Sequence, residues 1–311
     1  MSLDAVGLDR AGGPVVAGCG HHSVLAVMKR RPQNSPKEQP TAVEPKKGII
    51  GLFDILGYEN FLENNSEEKL DRAAIRVIEF IAEADTIVKK QLIGTVKGNI
   101  KLATRLLGEV ESIAFSDTIL MTSAYANDAD EKAKQVKWNN FIFLAIAFSR
   151  YMFDYGLPVR GVISFGQFLV KKNCFAGKPI VEAFQLSRDM DVSATVLTHE
   201  ARRECQSIYK FNFWQAVEYL VPRKSGIKEK LMTLNIASFP REYFKPWHGD
   251  LSQIVAESFW AHNKDISPNE FSKLRNTEMF LRYLKKVVPG QFRDPREELN
   301  PANPIEKLRP I

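Results

Sequence analysis

The segment Gly48 to Gly57, GIIGLFDILG, constrains this chain more than any other: it is a short apolar run closed by glycine at both ends, with a single carboxylate, Asp54, inside it. The run is too short for a core helix and reads as a buried strand. A carboxylate inside such a strand loses several kcal/mol of solvation unless a cation or hydrogen bonds replace the water. Whatever compensates Asp54 is therefore part of what the fold is for.

Downstream, Ser66-Glu67-Glu68-Lys69 opens a pattern with Leu70, Ala73, Ala74, Val77, Ile78, Ile81 and Ala84 at three- and four-residue steps, which predicts an amphipathic helix reaching about Lys90. Residues 94–108 read as a basic, Gly-punctuated connector. Glu109 to Phe115 and Thr118 to Thr122 then form a hairpin with Ser116-Asp117 at its turn. Lys134 to Tyr155 predicts a long helix, and its apolar stretch Phe141 to Phe148 implies burial on several sides. Pro158 to Val170 predicts a strand continuing past Gly166, followed by a helix over Ile180–Met190, a strand over Ala194–Thr198 and a helix over His199–Ser207. Lys230 to Asn235 reads as the last strand. Helices over Leu251–Ala261 and Pro268–Val287 follow, the second started by Ser267-Pro268. This order describes an α+β fold, a ferredoxin-like βαββαβ core whose mostly antiparallel sheet carries helices on one face, plus C-terminal helices that pack back on it through Phe259, Trp260, Phe271, Phe280 and Leu281.

Composition narrows the function classes. The 311 residues are 44% apolar and 26% charged, ordinary for a globular protein, and the net charge of +6 is spread thinly, against a dedicated nucleic-acid binder. Residues 1–46 hold no aromatic residue but five prolines and five glycines, and read as a flexible tail. In it Cys19, His21 and His22 are metal-capable types without a scaffold, an incidental grouping. Residues 47–240 form the main domain, 241–290 a helical extension and 291–311 a Pro-rich, charged end. Three widely spaced cysteines, Cys19, Cys174 and Cys205, give no disulfide framework and point to a reducing cytoplasm. No apolar run approaches the roughly 20 residues that cross a bilayer, and a secretory signal is not expected.

Two acids on neighbouring strands, Asp54 and Asp117, can converge on a pair of divalent cations. Equally, Asp54 can pair with a buried arginine such as Arg160 while Asp117 serves its turn. The motifs Phe53-Asp54-Ile55-Leu56-Gly57-Tyr58, Phe115-Ser116-Asp117-Thr118-Ile119-Leu120-Met121, Leu157-Pro158-Val159-Arg160-Gly161-Val162-Ile163-Ser164-Phe165-Gly166 and Gly177-Lys178-Pro179-Ile180-Val181-Glu182-Ala183 resemble, in order and spacing, those of the class III nucleotide cyclases. The resemblance covers about residues 48–235. It implies a class III cyclase-like fold and a catalytic domain over 47–240. It also implies that Asp54, Asp117 and the Ile55 carbonyl hold two Mg2+ or Mn2+ ions, which activate the ribose 3′-hydroxyl and neutralise the leaving pyrophosphate. A head-to-tail homodimer is implied as well, because sites in that family are shared between protomers.

The chain departs from the purine cyclases at the residues that read the base, with Ile113 and Cys174 where they carry polar groups, and on the following helix, with Val181 and Gln185 where they carry Asn and Arg. It looks more like the bacterial pyrimidine cyclases of the Pycsar antiphage systems, which make cyclic UMP or cyclic CMP for a separate sensing effector. By that resemblance Tyr58 fills the space of the absent purine ring, Arg105 supplies a donor to the base, one of Arg223, Lys224 and Lys228 meets the triphosphate, and Ile113, Cys174, Gln185 and Arg188 are further substrate-binding candidates. A donor at the base favours UTP over CTP.

Overall fold

In the computed structural model the described residues are 44–65, 72–95, 100–171, 174–208, 215–238, 247, 249–265 and 270–288. Residues 1–43 of the tail expected over 1–46, the helix start at Ser66 to Lys69, the Ser267-Pro268 cap and the end beyond 290 lie outside them, while Lys46, placed in that tail, begins the first strand.

The elements run β1 (Lys46–Ile55), α1 (Tyr58–Asn64), α2 (Arg72–Thr95), α3 (Ile100–Gly108), β2 (Glu111–Phe115), β3 (Thr118–Ala124), α4 (Glu131–Asp154), β4 (Val159–Lys171), β5 (Cys174–Ala176), α5 (Lys178–Asp189), β6 (Thr195–Leu197), α6 (His199–Ile208), β7 (Ala216–Pro222), β8 (Lys228–Leu234), α7 (Leu251–Trp260), a 3-10 turn over Ala261–Asn263, and α8 (Phe271–Val287). The sheet order is β2-β3-β1-β4-β6-β8-β7, with β5 paired to β4. Its first four strands are mutually antiparallel and stand in the order that a βαββαβ ferredoxin-like unit produces. Only β4 and β6 run parallel among the strand pairs described.

Alternation along β1 explains the layering. Ile49, Phe53 and Ile55 enter a core with Trp138, Phe141 and Phe148 of α4 and with Val77, Ile81 and Val88 of α2. Ile50 and Leu52 face the other way, onto Ile180 and Ala183 of α5, Val255 and Phe259 of α7 and Phe280, Leu281 and Leu284 of α8. Helices thus cover both faces of the sheet, not one. The C-terminal helices do pack back on the sheet, and they do so on the face opposite α2 and α4. A strand with apolar residues at both parities has to be covered on both sides.

Four further elements depart from the expectation. The segment read as a connector over 94–108 contains α3, whose run IKLATRLLG carries apolar residues at helical spacing. Tyr58–Asn64 forms α1 immediately after β1, β5 forms a short strand, and β7 precedes β8, so Lys228–Leu234 is the second strand of a hairpin. Asp130 caps α4, accepting a bond from the Ala133 amide at 2.7 Å, and sets its start three residues earlier than expected. Among the described residues no helix is long and apolar enough to cross a membrane.

Candidate functional site

Asp54 is the penultimate residue of β1, and its register partners are Thr118 on β3 and Arg160 on β4. Arg160 supplies the compensation that the sequence demanded. Its Nε donates to Asp54 Oδ2 at 2.9 Å and its Nη2 closes on the same oxygen. The arginine is itself fixed, because Nη1 donates to the carbonyls of Arg188 (3.4 Å) and Met190 (3.3 Å) where α5 ends. Both contacts from Arg160 fall on Oδ2, and among the described residues no hydrogen bond is made to Oδ1.

Asp117 follows Ser116, whose φ of 53° turns the β2–β3 hairpin back on itself. The Ile55 amide donates to the Asp117 carbonyl at 2.9 Å, and the Leu56 amide to the Pro158 carbonyl at 2.8 Å. The turn leaving β1 is thereby tied to the Asp117 hairpin on one side and to the entry of β4 on the other. The sheet brings the two acids together closely enough to interact. Burial and then the charge of Asp54 raise the Asp117 carboxyl above its ordinary range, while Thr118 and Arg160 pull it down. The Asp117 charge also raises the Tyr58 phenol, second to burial, so Tyr58, at the first turn of α1, lies within electrostatic reach of this acid.

Lys224 arrives from the β7–β8 turn. Its ammonium is pulled down by burial and by the nearby Arg160 and Lys273, and held up by Asp54 and Asp191. It belongs to the charge cluster around Asp54. Lys273, on α8, pairs with Glu270 at 3.2 Å and lies within electrostatic reach of Lys224, and it carried no sequence signal beyond being one more lysine on an amphipathic helix. Arg223 is committed elsewhere, to Asp189 at 3.1 Å and to Glu229. Lys228 is exposed at the start of β8.

Ile113 sits opposite Leu120, which sits opposite Leu52, one row behind Asp54 on the same sheet face. The remaining candidates are not drawn into this group. Arg105 is exposed on α3 and Cys174 is exposed on β5. Val181 and Gln185 lie one turn apart on α5 and face solvent. The Arg188 side chain is exposed, 5.5 Å from the Phe184 ring, and only its backbone carbonyl meets the site, through Arg160.

Two carboxylates and a backbone carbonyl in the Ile55 turn are hard oxygen donors, suited to Mg2+ or Mn2+. Burial first and the Asp54 charge second disfavour the ionised Asp117 carboxylate, and a dication would offset both. Among the described residues no group of three or more His, Cys, Asp or Glu could hold a metal. Any ion here would complete its shell with backbone, water and phosphate oxygens, as Mg2+ commonly does.

No protein-family model and no curated protein matches the sequence. Among solved structures, the catalytic core of a rhodopsin-guanylyl cyclase with converted specificity, in complex with ATPalphaS, aligns at 10% identity and a TM-score of 0.42 over 62% of this chain and 98% of its own. A class III adenylyl cyclase-like ATP-binding protein from Pseudomonas aeruginosa aligns at 16% identity and a TM-score of 0.35 over 78% of this chain, which spans 44% of that protein's length.

Proposed function

We propose that this protein is a nucleotidyl cyclase that converts UTP to 3′,5′-cyclic UMP and pyrophosphate, with two Mg2+ or Mn2+ ions held by Asp54, Asp117 and the Ile55 carbonyl. The observation that carries this reading is the convergence of Asp54 and Asp117 at adjacent strand ends, tied together by the Ile55 amide. Bound there, the ions would lower the pKa of the ribose 3′-hydroxyl and neutralise the departing pyrophosphate.

The protein's own residues account for the rest. Tyr58 presents a phenol within electrostatic reach of Asp117, where it can bond to a pyrimidine edge while its ring occupies the volume of a second base ring. Ile113, half-buried on the same face, offers no hydrogen bond to a purine. Lys224, in the β7–β8 turn, brings a cation within electrostatic reach of Asp54, where it would meet the triphosphate. Arg105 remains the proposed donor to the base. Phe115 at the hairpin tip, 71% exposed, and Val181 and Phe184 on α5 leave apolar surface next to the site, consistent with a homodimer in which α5 and its Gln185 and Arg188 face a partner. As in the pyrimidine cyclases that the sequence resembles, the cyclic nucleotide would act as a second messenger in antiphage defence, through a separate effector.

One observation favours a second reading, a nucleotide-sensing module that no longer cyclises: Asp54 is already neutralised by Arg160. Turnover separates the two. Asp117→Ala, and likewise Asp54→Ala, should abolish metal-dependent cyclisation of UTP by several orders of magnitude in a folded protein. Undiminished cyclisation in Asp117→Ala removes the metal assignment.

A further inference from the structure

The turn that carries Ile55 and Tyr58 is clasped from outside the core, by the segment between α7 and α8. Its central group is Lys264, which is 3% exposed. Lys264 makes no ion pair among the described residues. Its ammonium donates to the carbonyls of Gly156 (2.5 Å) and Ser258 (3.2 Å), and burial lowers its pKa to about 7, with Glu270 opposing. An ammonium held by carbonyls alone is a costly way to fill a core, where a methionine of similar length would serve.

Its position shows what it holds. Gly57 has a φ of 75°, and a Cβ there would stand 3.2 Å from Lys264 Cδ, so the lysine stem lies flat against the bare α-carbon of the glycine. The ammonium then reaches Gly156, two residues before the Pro158 carbonyl that receives the Leu56 amide. Lys264 therefore joins the end of the β1 turn to the loop entering β4. The same strand of chain grips α1 along its length. Asn60 donates to the Asp265 carbonyl and to Glu270 Oε2 at 2.7 Å, Asn64 to the Asn263 carbonyl at 3.0 Å, and Asn65 to the His262 carbonyl at 3.2 Å. His262 and Asn263 adopt left-handed φ values of 61° and 58° to present those carbonyls, a conformation that non-glycine residues keep only when their surroundings impose it.

We infer that Lys264 is a positioning residue for the nucleotide site, locking the Leu56–Gly57 turn and α1 so that the Ile55 carbonyl and the Tyr58 phenol are fixed relative to Asp117. This rests on the cyclase reading for the identity of the ligand but not for the clasp. The C-terminal extension is then a working part of the site and not only a cover for the sheet.

The test uses the full chain as wild type, Lys264→Met and Asn60→Ala, compared by thermal melting, hydrogen exchange over residues 54–65, and steady-state kinetics with UTP and Mn2+. Lys264→Met keeps the stem against Gly57 and removes a buried charge, so its melting temperature should hold while exchange over 54–65 quickens about tenfold. The KM for UTP and the half-saturating Mn2+ should rise about tenfold, with kcat changed less than about threefold. Asn60→Ala, which leaves the buried lysine in place, should move the same quantities in the same direction by less. Exchange equal to wild type in both variants overturns the clasp, as does an activity loss that follows only the folded fraction with KM unchanged. If the wild type turns over no nucleoside triphosphate, the cyclase reading fails on its own, and exchange over 54–65 still decides for or against Lys264.

Discussion

Replacing Arg160 by leucine tests how Asp54 is tolerated and what else can bind it. The substitution leaves a carboxylate whose side chain is 14% exposed with no cation in contact, facing the charge of Asp117. It also removes the donor to the Arg188 and Met190 carbonyls. Losing one partner of a buried pair costs about 3–5 kcal/mol, and with both side chains slightly exposed the lower figure applies, about 3 kcal/mol. For a domain of this size that lowers the melting temperature by about 6–12 °C. Manganese should return much of it, because a ligand present at 100 times its Kd stabilises by about 2.7 kcal/mol and the variant offers both oxygens of Asp54. Scanning calorimetry of both proteins in EDTA and in excess Mn2+ supplies all four values. A variant that melts within about 2 °C of wild type in EDTA refutes Arg160 as the compensating cation. No Mn2+ gain in either protein refutes Asp54 as a ligand.

Other outcomes follow from the same geometry. Asp117→Asn should raise the melting temperature of the metal-free protein at neutral pH while abolishing turnover. The native carboxyl is raised, so its ionised form costs stability above the folded pKa, and that cost is absent below the unfolded pKa; a fall in melting temperature would show that Asp117 is satisfied without a metal. Gly161→Ala should destabilise by about 1–3 kcal/mol or more, because its Cβ would stand 2.3 Å from Thr195 Oγ1 and break into the Ser149–Thr195 hydrogen bond; chemical denaturation reads it, and an unchanged midpoint contradicts the packing. Arg105→Ala should lower the UTP to CTP ratio of kcat/KM about tenfold if its guanidinium donates to the uracil carbonyl, and an unchanged ratio takes Arg105 out of the base site. Mixing Asp54→Ala with Gln185→Ala or Arg188→Ala protomers should restore partial activity only where sites are shared between two copies.

The sequence was most legible where one segment carries its own periodicity. β1, the β2–β3 hairpin, α4 and β4 stand close to where their apolar spacing placed them, and these are the elements that bring Asp54 to Asp117. The Asp54–Arg160 pair was legible as one of two ways to pay for a buried acid, and it is present. Helices on both faces were foreseeable from β1, whose apolar residues occur at both parities, but the C-terminal helices gave no sign of which face they cover. β7, AVEYLVP, carries no clean alternation of apolar and polar residues, and its pairing with β8 follows from the turn at Ser225-Gly226. Lys264 and Lys273 could not be read at all. Nothing local distinguishes them from solvated lysines, and only the return of the chain to the β1 turn buries one and brings the other, paired with Glu270, within electrostatic reach of Lys224.

The central claim is tested most directly by incubating the purified protein with UTP, CTP, ATP and GTP separately in Mn2+ and resolving the products by mass. The account predicts cyclic UMP and pyrophosphate from UTP, less product from CTP, little from either purine, and none from any of them in Asp117→Ala. No cyclic product from any of the four with the wild type, or a preference for ATP or GTP, would contradict it.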